Sequence, residues 1–477
     1  MFYESGKEER SHTKNACVDF PKWSCKKHYQ EGTIMSEKPY HEFCADLFNP
    51  DKHFEKPEAL DDIKVLDITN YILGPEVPQY LAMFGAEVIK VEWPAGEAFR
   101  YIGPYGCTTV ESVQGVKTGL GYLDHATNKH HISLDLHSEK AREIIKKLIA
   151  KVDIVVENFR PGTFEKLGIG YRQLKEINPG LIYVWEGGWG QWGKYKDRPS
   201  YDPVGQCASG IVAITSNKLG GEPTKAGFWL CDHAGSLHGV IGIMMALWHK
   251  KKTGEGQMIE VCQNEAGMRM LDYRFMEAYL LQRDHEPLAE GPWEFCVAPY
   301  GFIHCKDGML WVGMAAWRLF NDVMKAVGKL ELIDELGLKS MFDLGPMEVQ
   351  EKIYGAIEEL TKTMTIVEAE KFFMDHGVPC SRILTPWDCI NDENYQQRKT
   401  LYEFDCPHYG KQMATQPHPR LSHTPGRIKW LAQPIGYETF EVLNKYLGYT
   451  RAQVQQLIDE GVSVIQGKDE WKKTKEK

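Results

Sequence analysis

Asp232 stands in the run Phe228-Trp229-Leu230-Cys231-Asp232-His233-Ala234-Gly235, just ahead of a long apolar helix pattern. Apolar neighbours leave a carboxylate poorly hydrated and more nucleophilic, and small ones leave room for a bulky acyl group. That chemistry is covalent: a carboxylate attacking an acyl carbon. Asp is also a preferred helix N-cap, and His233 to Lys252 with Gly254 behind it reads as a helix with a C-terminal stop. The two roles are compatible.

Other stretches offer binding rather than bond-making. Glu157-Asn158-Phe159-Arg160-Pro161-Gly162 follows a predicted parallel strand, so Asn158, the backbone and Arg160 lie where such a sheet binds ligands, within reach of a phosphorylated one. A plain turn with a surface arginine is the plainer account. Lys129, His130, His131, Lys166, Lys194, Lys196 and Arg198 gather near the other strand ends, which suits a polyphosphate in an otherwise acidic protein or else a solvated surface. Gly188-Trp189-Gly190-Gln191-Trp192-Gly193 matches the dinucleotide fingerprint, yet the Lys194–Pro199 stretch behind it is a poor helix start and two tryptophans would crowd a pyrophosphate. There is no Walker A sequence, no G-x-S-x-G elbow and no H-E-x-x-H.

The elements that must position these residues follow from periodicity. Ile63–Ile68 and Glu87–Val91 read as strands around a helix at Pro75–Phe84. Helix Glu139–Lys151, strand Asp153–Val156, a helix near Thr163–Leu167 and strand Leu181–Trp185 repeat the alternation, which implies a parallel sheet. From about residue 290 the pattern changes to paired strands, Tyr300–His304 and Met309–Gly313, and helices at 316–327, 347–361 and 366–376. The stretch 391–430 reads as an irregular connection, and helices Tyr437–Leu447 and Arg451–Gly461 close the chain. The expected division is an extension over 1–60, a large domain over 61–285, a small α+β domain over 286–390, and a linker with a C-terminal return over 391–477.

Length and composition set outer limits. A chain of 477 residues can hold two domains and a large core. Its net charge of −10 argues against nucleic acid, which needs a basic face. The longest apolar stretch, Val240–Trp248, is too short for a bilayer, and no secretion signal opens the chain. Twelve cysteines lack metal spacing, so reduced thiols and a cytoplasmic location are expected, with no bound metal. Cys17, Cys25 and Cys44 lie in the weakly patterned N-terminal arm, where Met35 is a candidate true start.

Ordered motifs then carry a resemblance. Val65-Leu66-Asp67-Ile68-Thr69 with Gly74-Pro75, Gly85–Glu92, Asn128-Lys129 with Ser133-Leu134-Asp135, Glu157–Gly162, Tyr201-Asp202 with Gln206, Asp232, Thr253–Gln257, Gly377-Val378-Pro379 and Glu438–Leu443 are similar to the class III CoA-transferases over roughly residues 61–465. The resemblance implies a Rossmann-like large domain and a small domain, in two chains interlocked like links, a homodimer or a heteromer with a paralogous subunit. It implies acyl-CoA and a free carboxylic acid as substrates and no tightly bound cofactor. Asp232 falls on the catalytic aspartate, which would pass through a mixed anhydride and an aspartyl-CoA thioester, with backbone N–H groups at the helix start steadying the oxyanions. Asn70, Tyr71, Asn128, Lys129, Asn158, Phe159 and Lys166 fall at CoA-binding positions, and Tyr201 and Asp202 at supporting ones. Asp202 also fits a turn or cap beside Pro203.

The departures bear on the substrate. Ile72 stands where the formyl-CoA enzymes carry a glutamine, Trp93 and His137 replace basic residues, and the tetraglycine loop has no counterpart around Ala289–Pro292. A small oxalate-type acid is therefore not expected. Trp185, Trp189, Trp192, Tyr195, Tyr201, Phe228 and Trp229 instead favour a larger aromatic or carnitine-like acid, by stacking or cation–π contact. Two other functions fit the same family: an α-methylacyl-CoA racemase, against which Tyr201 stands where a histidine would be the base, and a non-catalytic subunit of a heteromeric enzyme.

Overall fold

A computed structural model describes residues 38–102, 109–218, 220–281, 291–294 and 297–471. Met35, Cys17 and Cys25 lie outside the described residues, as does most of the stretch before Pro292. The chain divides after Leu47. Before that point Tyr40–Leu47 forms a short helix.

From Phe48 onward the framework is one six-stranded sheet. Its strands are β1 (Lys64–Ile68), β2 (Glu87–Glu92), β3 (Lys129–Ser133), β4 (Ile154–Glu157), β5 (Ile182–Gly187) and β6 (Met258–Cys262). They run β3-β2-β1-β4-β5-β6, every neighbour parallel, with Val65 beside both Val88 and Ile154. This is the doubly wound order of nucleotide-binding sheets, whose crevice opens where the order reverses. Here the reversal lies between β1 and β4, so the loops at Asn70 and Asn158 diverge around it.

Both faces of the sheet are covered, and this is why β1, β4 and β5 read as apolar runs. One face packs helix α1 (Leu73–Met83) and the long helix that follows Trp229 through Val65, Val77, Val88, Val156, Val184 and Ile243. The other packs helix α2 (Glu139–Ile149) and two C-terminal helices through Leu66, Ile89, Ile145, Leu148, Leu443 and Leu457. The long helix, here α4 (Leu230–Thr253), stops at Gly254 with φ of 80°. Between it and β5 lies α3 (Asp202–Ser209), and after β6 come α5 (Gln263–Arg269) and α6 (Arg274–Leu281). Helix α4 is long and apolar enough to cross a membrane, but it is half-buried against the sheet and carries Asp232 on its covered side.

Strand β3 corrects the sequence reading, which took Lys129, His130 and His131 for cations at a strand end. They lie within the strand, and Lys129 and His131 are fully buried. Lys129 Nζ sits 2.8 Å from Asp67 Oδ2, and the His131 ring 2.9 Å from Glu92, which also binds Arg100 at 2.6 Å. Charges this deep survive only when paired and hydrogen-bonded, so a polar sequence here forms an interior strand.

The other layer is a three-stranded antiparallel sheet of β7 (Tyr300–Cys305), β8 (Gly308–Gly313) and β9 (Cys380–Arg382), with β8 central. Helices Trp317–Ala326, Met347–Thr361 and Ile366–Asp375 close its core around Ile303, Leu310, Phe320, Ile357 and Phe373. The stretch 391–430 is not irregular throughout. It contains a hairpin, Leu401–Cys406 with Gly410–Thr415, whose mostly solvent-facing side chains left no apolar alternation to read. Helices Thr439–Leu447 and Arg451–Asp459 return to the large sheet.

Candidate active site

The crevice is built by two asparagines clasping each other across the point where strand order reverses. Asn70 N donates to Asn158 Oδ1 and Asn158 Nδ2 donates to Asn70 O, each at 2.8 Å. A Cβ on Gly74 would stand 2.8 Å from Asn158 Cγ, so only glycine lets α1 start this close to the clasp. Tyr71 takes a left-handed φ of 65°, a sharp turn that aims its ring across the cleft at Tyr201, centroids 5.6 Å apart. Glu157 Oε2 accepts from Phe159 N at 2.8 Å and Trp185 Nε1 donates to Phe159 O at 3.0 Å, which fixes the second loop. The resulting cavity of about 320 Å³ is lined by Asn70, Tyr71, Asn158, Phe159, Arg160, Tyr201, Asp232 and Gln263. Lys196 and Arg198 add exposed cations to its lining, and the Arg198 guanidinium stacks 3.7 Å over Tyr195.

Asp232 is 7% exposed and is the third residue of α4, not its cap. The cap comes from another helix. Asp202, the first residue of α3, accepts from Cys231 N at 2.7 Å and Asp232 N at 3.2 Å through one oxygen. Its other oxygen accepts from Gln206 Nε2 at 2.6 Å. The N–H groups at the helix start are therefore occupied by Asp202, and the expectation that they would hold a substrate oxyanion fails for that reason. Gln263, which sequence reading missed, donates its Nε2 hydrogen to Asp232 Oδ1 and accepts the Ser200 hydroxyl at 2.7 Å. Burial pushes the Asp232 carboxyl up to about 7, the Gln263 hydrogen bond opposes this, and the neighbouring Asp202 charge adds to it. The arrangement is a nearly dry carboxyl at the floor of a cleft, its Oδ1 held and its backbone pinned.

Two further acids surround it. Glu76 is ion-paired with His233 at 2.8 Å, and that hydrogen bond raises the imidazole's affinity for its proton. Glu186, at the end of β5, also lines the cleft; it is fully buried and among the described residues neither carboxyl oxygen has a hydrogen-bond partner. It packs against α4 where Gly239 lacks a side chain: a Cβ there would lie 2.9 Å from Glu186 Oε1. Burial first, then the Glu76, Asp232 and Asp67 charges, lift its carboxyl well above the usual range, so it is held neutral. A carboxyl raised in the folded state contributes its full stability below the unfolded value and loses it as pH rises through the folded one. Thermal melts of wild type and Glu186→Gln should therefore diverge from pH 5 to pH 8, the wild type losing roughly 2–4 °C relative to the variant. Parallel pH dependence in the two proteins would refute a neutral Glu186.

Not every expected ligand-binding residue reaches the cleft. Asn128 and Lys129 precede and open β3, at the amino edge of the sheet, whereas the cleft is at the carboxyl edge. Asn128 Oδ1 accepts from Lys429 N at 2.7 Å and its Nδ2 donates to Arg427 O at 2.8 Å, so it latches the C-terminal segment. Lys129 is spent on Asp67 and on Pro75 O at 2.6 Å. Lys166 is exposed on the short helix behind the Asn158 loop and does not line the cavity. Ile72 is buried in a neighbouring apolar cluster, while Trp93 packs between His137 and Phe159 at 5.0 and 6.3 Å. Of the aromatics expected near the substrate, Trp185, Trp189 and Tyr201 line the cavity; Trp192 is 79% exposed and does not. The Gly188–Gly193 run is an irregular loop with no helix behind it, unlike a dinucleotide motif.

Known proteins share this arrangement of chain. The sequence profile of CoA-transferase family III matches residues 60–439. The succinyl-CoA–L-malate CoA-transferase alpha subunit of Chloroflexus aurantiacus is 33% identical over 404 residues, 83% of this chain and 91% of that one. The bile acid CoA-transferase BaiK of Clostridium scindens is 30% identical over 422 residues, 86% of this chain and 91% of that one. Among solved structures, a CAIB/BAIF family protein from Brucella suis superposes with a TM-score of 0.72 at 26% identity, covering 82% of this chain and all of that one.

Proposed function

The chain belongs to CoA-transferase family III, and from that premise we propose that it moves CoA from an acyl-CoA to a free carboxylic acid through Asp232. The observation carrying this reading is the buried carboxyl that lines the cleft floor with one oxygen, Oδ1, held by Gln263. Asp232 Oδ2 adds to the donor thioester carbonyl, the C–S bond breaks, and the thiolate leaves with its electron pair. The resulting anhydride is attacked at the Asp232 carbonyl by the thiolate, releasing the donor acid as carboxylate. The acceptor carboxylate then repeats both steps in reverse. Anhydride and thioester have similar acyl-transfer energy, so the exchange runs without ATP.

Arg160, Lys196 and Arg198 supply the cations for the CoA phosphates, in place of the buried Lys129. Tyr71, Trp189 and Tyr201 offer ring faces to the acid, which favours an aromatic or carnitine-like substrate over a small dicarboxylate. The test is to incubate the purified protein with acyl-CoA donors and trap with hydroxylamine. A hydroxamate at Asp232 is expected. Turnover with Asp232 unmodified would overturn the reading, and exchange of an α-proton without CoA transfer would point to a racemase instead.

The exposed face of α4 supports a dimer. Leu237, Ile241, Met244, Met245 and Trp248 recur at helical spacing and are each 45% exposed or more, and α6, which follows β6 and α5, buries none of its residues. An apolar stripe of this length is a protein interface by default. A second copy of this chain covers it, and light scattering should give twice the monomer mass, falling to the monomer for Trp248→Glu. A monomeric wild type that becomes active only with a different chain would favour the heteromer, the assembly implied by the alpha-subunit name of the Chloroflexus relative.

A further inference from the structure

The geometry points to Gln263 as a catalytic residue whose amide N–H holds the oxyanion formed on Asp232 itself, an inference that rests on the covalent role proposed for Asp232. Any acyl transfer through a side-chain carboxylate needs two kinds of oxyanion stabilised. When Asp232 attacks the donor, the negative charge collects on the donor's carbonyl oxygen. When the CoA thiolate attacks the anhydride at Cγ of Asp232, the new C–S bond pushes an electron pair onto the carbonyl oxygen of Asp232. The carbonyl then re-forms, the bond from Cγ to the bridging oxygen breaks, and the donor acid leaves with that pair. The acceptor carboxylate attacking the aspartyl thioester puts charge on the same oxygen and expels thiolate.

Among the described residues, one side-chain donor faces that oxygen. Gln263 Nε2 is bonded to Asp232 Oδ1. With Asp232 ionised its carboxylate accepts only, so the NH₂ end faces it, and the Ser200 hydroxyl donates to Oε1 at 2.7 Å and so favours this orientation of the amide. Gln263 is 5% exposed, so water does not compete for this bond. The backbone alternative at the start of α4 is closed, since Cys231 N and Asp232 N are bound by Asp202 and Leu230 N donates to Phe228 O at 3.0 Å. With Oδ1 held, Oδ2 is the oxygen that attacks, and Oδ1 remains in the Gln263 bond through every step at Cγ. A donor preorganised on the oxygen where charge concentrates stabilises the transition state more than the ground state.

The signature is specific to steps at Cγ. Rapid-quench single turnovers use acyl-CoA carrying separate radiolabels on the acyl group and on CoA. Wild type should hold CoA on Asp232, the acyl label having left with the donor acid. Gln263→Leu should turn over about 10²–10³-fold more slowly, the loss typical of removing one oxyanion donor, and should carry the acyl label as trapped anhydride. Ser200→Ala, which keeps the amide but frees it to rotate, should shift the bound label in the same direction with a smaller loss of rate. That second variant separates the chemistry from a packing defect at Gln263. Wild type carrying CoA, with both variants carrying CoA equally and turning over at its rate, overturns the inference alone. Wild type that turns over with neither label on Asp232 overturns the covalent reading and this inference with it.

Discussion

Asp232→Asn will lower kcat by about 10⁴-fold or more, the scale seen when a covalent nucleophile is removed, while leaving acyl-CoA binding intact. The size follows from what asparagine removes. It keeps the shape and a carbonyl for Gln263 but has no anionic oxygen to attack a thioester. The wild type carries a second mark of the same group. Its nucleophilic form is the ionised one, and burial lifts its titration to about 7. Activity should therefore be flat at alkaline pH and fall tenfold per unit as pH drops below about 7. A kcat/KM profile that stays level down to the ordinary carboxylate range would mean that Asp232 is not the ionising group, whatever the asparagine variant does.

The framework that carries this residue was legible where physics makes patterns. Strands Lys64–Ile68, Glu87–Glu92, Ile154–Glu157 and Ile182–Gly187 came out within a residue or two, because strands covered on both faces are mostly apolar. Strand Lys129–Ser133 did not, because its lysine is buried by ion pairing with Asp67 and its histidine by hydrogen bonding to Glu92, partners 62 and 39 residues away. No local pattern encodes that. The same limit explains the site. Asn70, Tyr71, Asn158, Phe159, Arg160 and Asp232 were marked by strand ends and by resemblance, and the sheet brings them to one cleft. Gln263 follows Asp232 by 31 residues with nothing local to connect them. The available signal was positional: it directly follows a strand, at the carboxyl edge where this sheet type binds its ligands. Asp232 itself was read as a cap from the helix pattern alone, and that pattern could not reveal that Asp202 already filled the position from another helix.

That remote cap makes Asp202 the next residue whose loss matters most. Asp202→Ala should cost about 2–3 kcal/mol of stability, because it strands two buried N–H groups that now share one carboxylate oxygen. It should also lower kcat on the order of 10²-fold, since a catalytic group on an unpinned first turn loses its attack geometry. Chemical denaturation and steady-state rates measure the two effects separately. Asp202→Asn distinguishes the cap from the charge. Asparagine can still accept from Cys231 N and Asp232 N, so most of the stability should return. It cannot accept from Gln206, whose amide is already committed to Phe228 O at 3.1 Å and to Ala226 N at 2.9 Å and so cannot simply turn over. What asparagine removes outright is the negative charge that helps raise the Asp232 carboxyl. The acid limb of its rate profile should move to lower pH than in wild type. A limb that moves upward or stays fixed would mean that Asp202 acts on Asp232 through the backbone alone.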